Sequence, residues 1–137
     1  MSSKLTLQKV RFIDFPTATD TTGVLHFLER KDLLPGGIKR AFWISQVNEE
    51  AKRGNHAHRR ECQVLVAVSG VVKVSTQQPG QKAVQFKLDG PQVGLFIPAM
   101  TWVETQFSPG SILLGFSNHE FSESDYIRDF HEFEKYH

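Results

Sequence analysis

Hydrophobic residues in this chain recur mostly at every second position, in short runs closed by glycine and proline. Val84, Phe86 and Leu88 alternate with Gln85 and Lys87, the pattern of a half-buried antiparallel strand. From Ile38 to Val47, the residues Ile38, Arg40, Phe42 and Ile44 share one parity and Trp43 takes the other. The apolar run Val64 to Val68 ends at Ser69-Gly70, and Val71 to Val74 follows as a second strand. Gln78-Pro79-Gly80-Gln81 puts Pro and Gly at the centre of a type II turn. Gly94 to Pro98, Trp102 to Phe107 and Ile112 to Phe116 are further strands, separated by Ala99-Met100 and Ser108-Pro109-Gly110.

The N-terminal part is less regular. In residues 4–15, Leu5 and Leu7 share one parity and Val10 and Phe12 the other, which predicts one or two short strands with a register break. Pro16 to Gly23 reads as a polar connection, Val24 to Glu29 as a strand, and Leu34-Pro35-Gly36-Gly37 as a turn. Asn48-Glu49-Glu50 reads as a polar loop. Glu123 to Tyr136 is the only predicted helix, capped by Ser122 with Asp125 three residues on, and striped by Ile127, Phe130 and Phe133. Many short strands and one terminal helix predict an all-β fold, an antiparallel sandwich or jelly-roll barrel with one C-terminal helix. No repeat or linker interrupts residues 1–137, so one domain is expected.

Composition narrows the function classes. At 137 residues the chain is long enough to bury about two-thirds of its unfolded surface. With 39% hydrophobic and 23% charged residues it is globular in character, and a net charge of +1 gives no field for nucleic acid or membrane. Lys52, Arg53, Arg59 and Arg60 nevertheless form a local basic cluster. The single cysteine, Cys62, sits in an apolar run and reads as a buried thiol rather than a nucleophile. No signal-peptide core and no span of about 20 apolar residues is present, so a cytoplasmic location is expected.

The candidate chemistry lies in Arg53-Gly54-Asn55-His56-Ala57-His58. In a strand, His56 and His58 point to the same face. On spacing alone, such a pair is a site inside a barrel or plain surface at an edge. His56-x-His58, then Gln63, then Gly70 resembles the first cupin motif, in which two histidines and a glutamate bind a metal; Gly94 to Pro98 resembles the start of the second. Here the glutamate is Gln63, and Trp102 stands about where the third histidine belongs. A catalytic metal keeps three protein ligands, so a cupin barrel with no metal is expected. His119 is a third ligand only in principle and reads as a loop residue. Imidazoles freed from ligation suit general acid/base work near neutral pH.

A longer set of segments carries a resemblance to one family. These are Ile38-Lys39-Arg40, Arg53-Gly54-x-His56-Ala57-His58, Gln63-Val64-Leu65, Gly94 to Pro98, Met100-Thr101-Trp102-x-Glu104, Phe107-Ser108-Pro109 and Glu123-Ser124-Asp125-Tyr126-Ile127-Arg128-Asp129. Together they resemble the dTDP-4-keto-6-deoxyglucose 3,4-ketoisomerases, cupins related to the WxcM-like C-terminal domain. The resemblance implies a metal-independent isomerase without cofactor, acting on a dTDP-linked keto-deoxysugar. It implies a homodimer with exchanged N-terminal strands, in a pathway to 3-amino-3,6-dideoxyhexoses of surface polysaccharides. It implies that His56 and His58 are catalytic and that Arg53 is a charge partner for diphosphate or sugar.

The chain also departs from that family. Tyrosines are common where it has Phe42, Trp43 and Ser45, and in the segment Phe116 to Phe121; Asn55 stands where an aromatic is usual. Ser45, Gln46 and Glu104 are candidates for the missing phenol's work, and Glu104 either orients a histidine or is exposed. Trp43 and Trp102 either stack on thymine or sugar or, more in keeping with aromatics, fill the core. The expected substrate-binding set is Arg53, Asn55, Gln63, Trp102, Glu104 and Ser45. Three rivals remain: a 3,5-epimerase-like enzyme, which needs a tyrosine acid; a sugar-binding cupin without turnover; and a metal cupin, disfavoured by Gln63 and Trp102.

Overall fold

The alternating strands form two facing antiparallel sheets in the computed structural model, which describes residues 8–29, 32–48 and 51–136. The first sheet runs in the order β1 (Arg11–Asp14), β9 (Val93–Ile97), β6 (Gln63–Ser69), β11 (Ile112–Ser117) and β4 (Arg40–Ile44). The second runs β12 (Tyr126–Ile127), β5 (Lys52–His58), β10 (Trp102–Phe107), β7 (Val72–Gln77) and β8 (Val84–Leu88). A separate hairpin pairs β2 (Thr17–Asp20) with β3 (Gly23–His26), so part of the expected polar connection is strand. The Thr22 backbone N–H donates to Asp20 Oδ1 at 2.7 Å and closes the hairpin's turn. The predicted strands at residues 4–7 and the loop residues Glu49 and Glu50 lie outside the described residues.

Period-two patterning decides what faces the interior. Leu65 and Ala67 of β6, Val72 and Val74 of β7, Leu95 and Ile97 of β9, and Leu113 of β11 fill the space between the sheets. Their alternate neighbours Val64, Val66 and Phe96 face outward and are covered by Ile13, Phe15, Leu33 and Leu34. The apolar filling stops short of one end. There the inward positions carry His56, His58, Gln63, Arg40 and Thr101 instead, and the barrel stays open. Among the described residues, no helix is long and apolar enough to cross a membrane.

One irregularity aims the site. Val103 pairs with His56, but the next residue, Glu104, pairs with Gly54, so Asn55 is an extra residue bulged out of β5. Gly54 has φ +92° and Asn55 φ +58°, both left-handed. The bulge inverts the alternation, so Arg53 pairs with Thr105 and shares the inward face with His56, which simple parity forbids.

The predicted helix from Glu123 to Tyr136 is not formed as such. The segment is a 3₁₀ turn (Glu123–Asp125), then β12, then a short α1 (Phe130–Glu134). Asp125 does not serve a helix start; it accepts the backbone N–H groups of Arg60 and Glu61 at 2.9 and 3.1 Å. β12 pairs with β5, Tyr126 opposite His58 and Ile127 opposite Ala57. The helix begins only at Asp129, whose carboxylate caps His131 N–H at 2.9 Å. Ile127 and Phe133 are still buried together, with Ala57 and Trp102, on the outer face of the second sheet.

A Cβ on Gly54 would stand 2.7 Å from the Val103 carbonyl oxygen, against backbone that cannot swing away. Replacing Gly54 by Ala is therefore expected to cost about 1–3 kcal/mol in a denaturant melt, from strain and a disturbed bulge. A variant as stable as the parent contradicts the role given to this glycine.

Candidate active site

The inward residues at the open end line a cavity of about 310 Å³. β5 supplies Arg53, His56 and His58, β6 supplies Gln63, β4 supplies Arg40 and Phe42, and β12 supplies Tyr126. Glu61, in the connection between β5 and β6, closes the floor. The two imidazoles stand 5.0 Å apart, centre to centre, and nearly perpendicular at 83°. Tyr126 lies against both, 4.8 Å from His56 and 4.3 Å from His58.

Each imidazole has its Nδ1 accounted for by an acceptor. His56 Nδ1 is 3.0 Å from the Gly54 carbonyl oxygen, which only accepts, so Nδ1 carries the hydrogen and Nε2 keeps a lone pair. His58 Nδ1 is 3.3 Å from Asp125 Oδ2 and 3.5 Å from Glu61 Oε1. These contacts lack the alignment of full hydrogen bonds, yet two carboxylates there favour the hydrogen on Nδ1. His58 Nε2 then faces the Gln63 amide nitrogen at 3.4 Å, a donor to its lone pair. The same amide donates to Glu61 Oε2 at 2.5 Å, and Arg40 Nη2 lies 2.6 Å from that oxygen. Arg40, Glu61, Gln63, His58 and Asp125 thus form one connected network, with Glu61 and Asp125 almost fully buried at 2% and 3% exposure.

Burial dominates the electrostatics. It pushes the His56 pKa down to about 4, helped by His58 and opposed by the hydrogen bond to Gly54. The His58 pKa is also lowered, burial outweighing the attraction of Glu61 and Asp125. Both rings are therefore poised as neutral bases at neutral pH. Burial also pushes the Cys62 thiol pKa up, which leaves that cysteine a poor nucleophile.

His58, Glu61 and Asp125 bring three potential metal-ligand atoms within 4.8 Å of one another. The donor set does not fit a cation well. A guanidinium and an amide already occupy Glu61 Oε2, and Asp125 is committed to two backbone N–H groups. His119 is not among the cavity residues; its backbone is tied to Ser117 Oγ at 3.0 Å.

Of the residues singled out in the sequence, His56, His58, Arg53 and Gln63 meet at the cavity. Four others do not line it, which corrects their expected place at the substrate. Asn55 is the bulged residue and is exposed. Ser45 lies exposed beyond the end of β4. Glu104 is on the outward face of β10, accepting the Trp102 indole N–H at 3.2 Å, so it orients no histidine. Trp102 is buried outside the barrel, its ring 5.2 and 5.7 Å from Phe130 and Phe133. Trp43, expected in the core, is 69% exposed at the cavity rim. Glu61, Asp125, Arg40 and Tyr126 are not among the site residues expected from the sequence, although Arg40, Asp125 and Tyr126 lie in segments that carry the resemblance. Asp125 and Tyr126 were hidden because their segment reads as helix.

Fold and site together define a cupin-type enzyme barrel with two neutral histidines at its open end. The chain belongs to the FdtA family (WxcM-like, C-terminal), whose model matches residues 8–137. It is 33% identical over 127 residues to the TDP-4-oxo-6-deoxy-alpha-D-glucose-3,4-oxoisomerase of Aneurinibacillus thermoaerophilus, covering 92% of this chain and 91% of that protein. QdtA, a sugar 3,4-ketoisomerase from Thermoanaerobacterium thermosaccharolyticum solved in complex with TDP, is 33% identical with a TM-score of 0.85, over 92% of each chain. The WlaRB TDP-quinovose 3,4-ketoisomerase of Campylobacter jejuni is 29% identical with a TM-score of 0.87, over 94% of this chain and 99% of that one.

The lowered His56 pKa has a consequence for stability. The unfolded chain takes up this proton near 6.5, the folded chain only near 4. Between those values the unfolded state binds more protons, so stability falls as pH drops from 6.5 toward 4. In urea melts across this range, His56→Asn is expected to show a shallower loss than the parent. An unchanged slope contradicts the burial of a neutral imidazole at this position.

Proposed function

We propose that this protein is a nucleotide-sugar isomerase that moves the keto group of a TDP-4-keto-6-deoxyhexose from C4 to C3. The observation that carries the reading is the histidine pair: two neutral imidazoles 5.0 Å apart on one cavity wall, both with the hydrogen on Nδ1, the His58 Nε2 in long contact with the Gln63 amide at 3.4 Å. The activities of the relatives support the substrate class. The cavity is within the usual size range of ligand pockets.

The 4-keto group acidifies the proton on C3. His56 Nε2 removes it, forming an enediolate, and returns the proton to C4. His58 carries the hydroxyl proton between O3 and O4; Glu61 and Asp125 stabilise the imidazolium formed in transit. The sugar's overall oxidation state is unchanged, so no redox cofactor enters. Each transfer runs between substrate and side chain, and none calls for a metal. Arg53, brought inward by the bulge, is the charge partner for the diphosphate. The protein works as a homodimer with exchanged N-terminal strands, in the cytoplasm, on the way to amino-dideoxy sugars of surface polysaccharides.

A second reading, a 3,5-epimerase-like activity, draws support from Tyr126, a phenol beside the base of the kind that chemistry needs. Proton NMR of TDP-4-keto-6-deoxyglucose with the protein in deuterated water separates the readings. The ketoisomerase produces a 3-keto sugar, whereas deuterium at C5 alone marks an epimerase. Retained TDP binding with no change at any carbon marks a binding protein. His56→Asn and His58→Asn are each expected to lower isomer formation by about 10²–10⁴-fold in a folded protein. Full turnover by both variants removes the pair from the mechanism.

A further inference from the structure

The tautomers of the two histidines leave one requirement of the reaction unmet. Removing the C3 proton sends the ketone's π electrons onto O4, which becomes an oxyanion. With both hydrogens on Nδ1, the Nε2 atoms of His56 and His58 are acceptors, and neither offers O4 a donor as the charge develops. The Gln63 amide nitrogen is engaged with Glu61 and His58. Arg40 is engaged with Glu61.

Tyr126 is placed to supply that donor. It lines the cavity and its ring touches both imidazoles. Its hydroxyl has no hydrogen-bond partner among the described residues, and it is not a buried orphan. Its position is fixed by three contacts. The β12 pairing sets it opposite His58. Arg59 Nη1 holds its carbonyl oxygen at 2.7 Å. The Arg128 guanidinium lies over its ring at 4.1 Å, itself held by Glu123 at 2.7 and 3.0 Å. A donor that is fixed in advance and spends no bond on the protein is what stabilises a developing oxyanion.

We propose that Tyr126 is a further catalytic residue, whose hydroxyl donates a hydrogen bond to O4 as the enolate forms; this rests on the ketoisomerase reading. The steps balance without a co-reactant. His56 takes the C3 proton, and the C–H electron pair becomes the C3=C4 double bond. The ketone π pair moves to O4, held by the Tyr126 hydroxyl, which keeps its own proton. His58 takes the O3 proton, the O3 pair forms the C3=O bond, and the C3=C4 pair takes the proton from His56 at C4. O4 then takes the proton from His58.

The test is Tyr126→Phe, which keeps the ring against both imidazoles and removes only the hydroxyl. The variant is expected to show a kcat lower by about 10²–10³-fold, the usual loss for one oxyanion donor, with KM within a few-fold of the parent. Thermal stability and TDP affinity are expected to match the parent. A kcat within about threefold of the parent overturns the proposal and makes Tyr126 a wall for the imidazoles. A kcat loss matched by lost stability or lost TDP affinity also overturns it. If the parent itself makes no 3-keto sugar, the ketoisomerase reading has failed instead, and the two failures are distinct.

Discussion

A single buried carboxylate joins the parts of this site. Asp125 holds the backbone N–H groups of Arg60 and Glu61, stands 3.3 Å from His58 Nδ1, and belongs to the segment that carries Tyr126 and Arg128. Removing a carboxylate from water costs several kcal/mol, and here two backbone donors and the facing imidazole offset it. Those same bonds pin the C-terminal segment to the end of β5. Arg59, through bonds to the Ser124 and Tyr126 carbonyl oxygens at 3.1 and 2.7 Å, and the burial of Ile127 against Ala57 hold the two-residue β12 alongside it.

The rest of the site follows from sheet geometry. His56 and His58 share a face because strand residues alternate, and the Gly54-Asn55 bulge adds Arg53 to that face. The protein meets two demands with one device. Gly54 relieves the close approach to Val103, and its carbonyl oxygen fixes the His56 tautomer. Burial then keeps both imidazoles neutral, which a base at neutral pH requires.

Much of this was legible in the sequence. Two-residue periodicity marked most strands of the barrel, and H-x-H at the mouth of an apolar run marked the pair. The rest depended on non-local partners. Ser122 to Phe133 has a cap signal and helical spacing, but Asp125 finds better partners in the β5–β6 connection, and the helix yields to a 3₁₀ turn and a strand. Glu104 and Trp102 were drawn toward the substrate by a motif position, whereas their parity puts them on the outer face. Phe42 and Trp43 mark where phenols are absent; the phenol beside the histidines comes from Tyr126, far along the chain.

The central claim is that the carbon proton belongs to His56 and the oxygen protons to His58. The direct measurement is loss of the C3 proton from TDP-4-keto-6-deoxyglucose into deuterated water, followed separately with His56→Asn and His58→Asn. The account predicts no exchange at C3 with His56→Asn, and exchange without formation of the 3-keto sugar with His58→Asn. Exchange at C3 that survives in His56→Asn and vanishes in His58→Asn would contradict it.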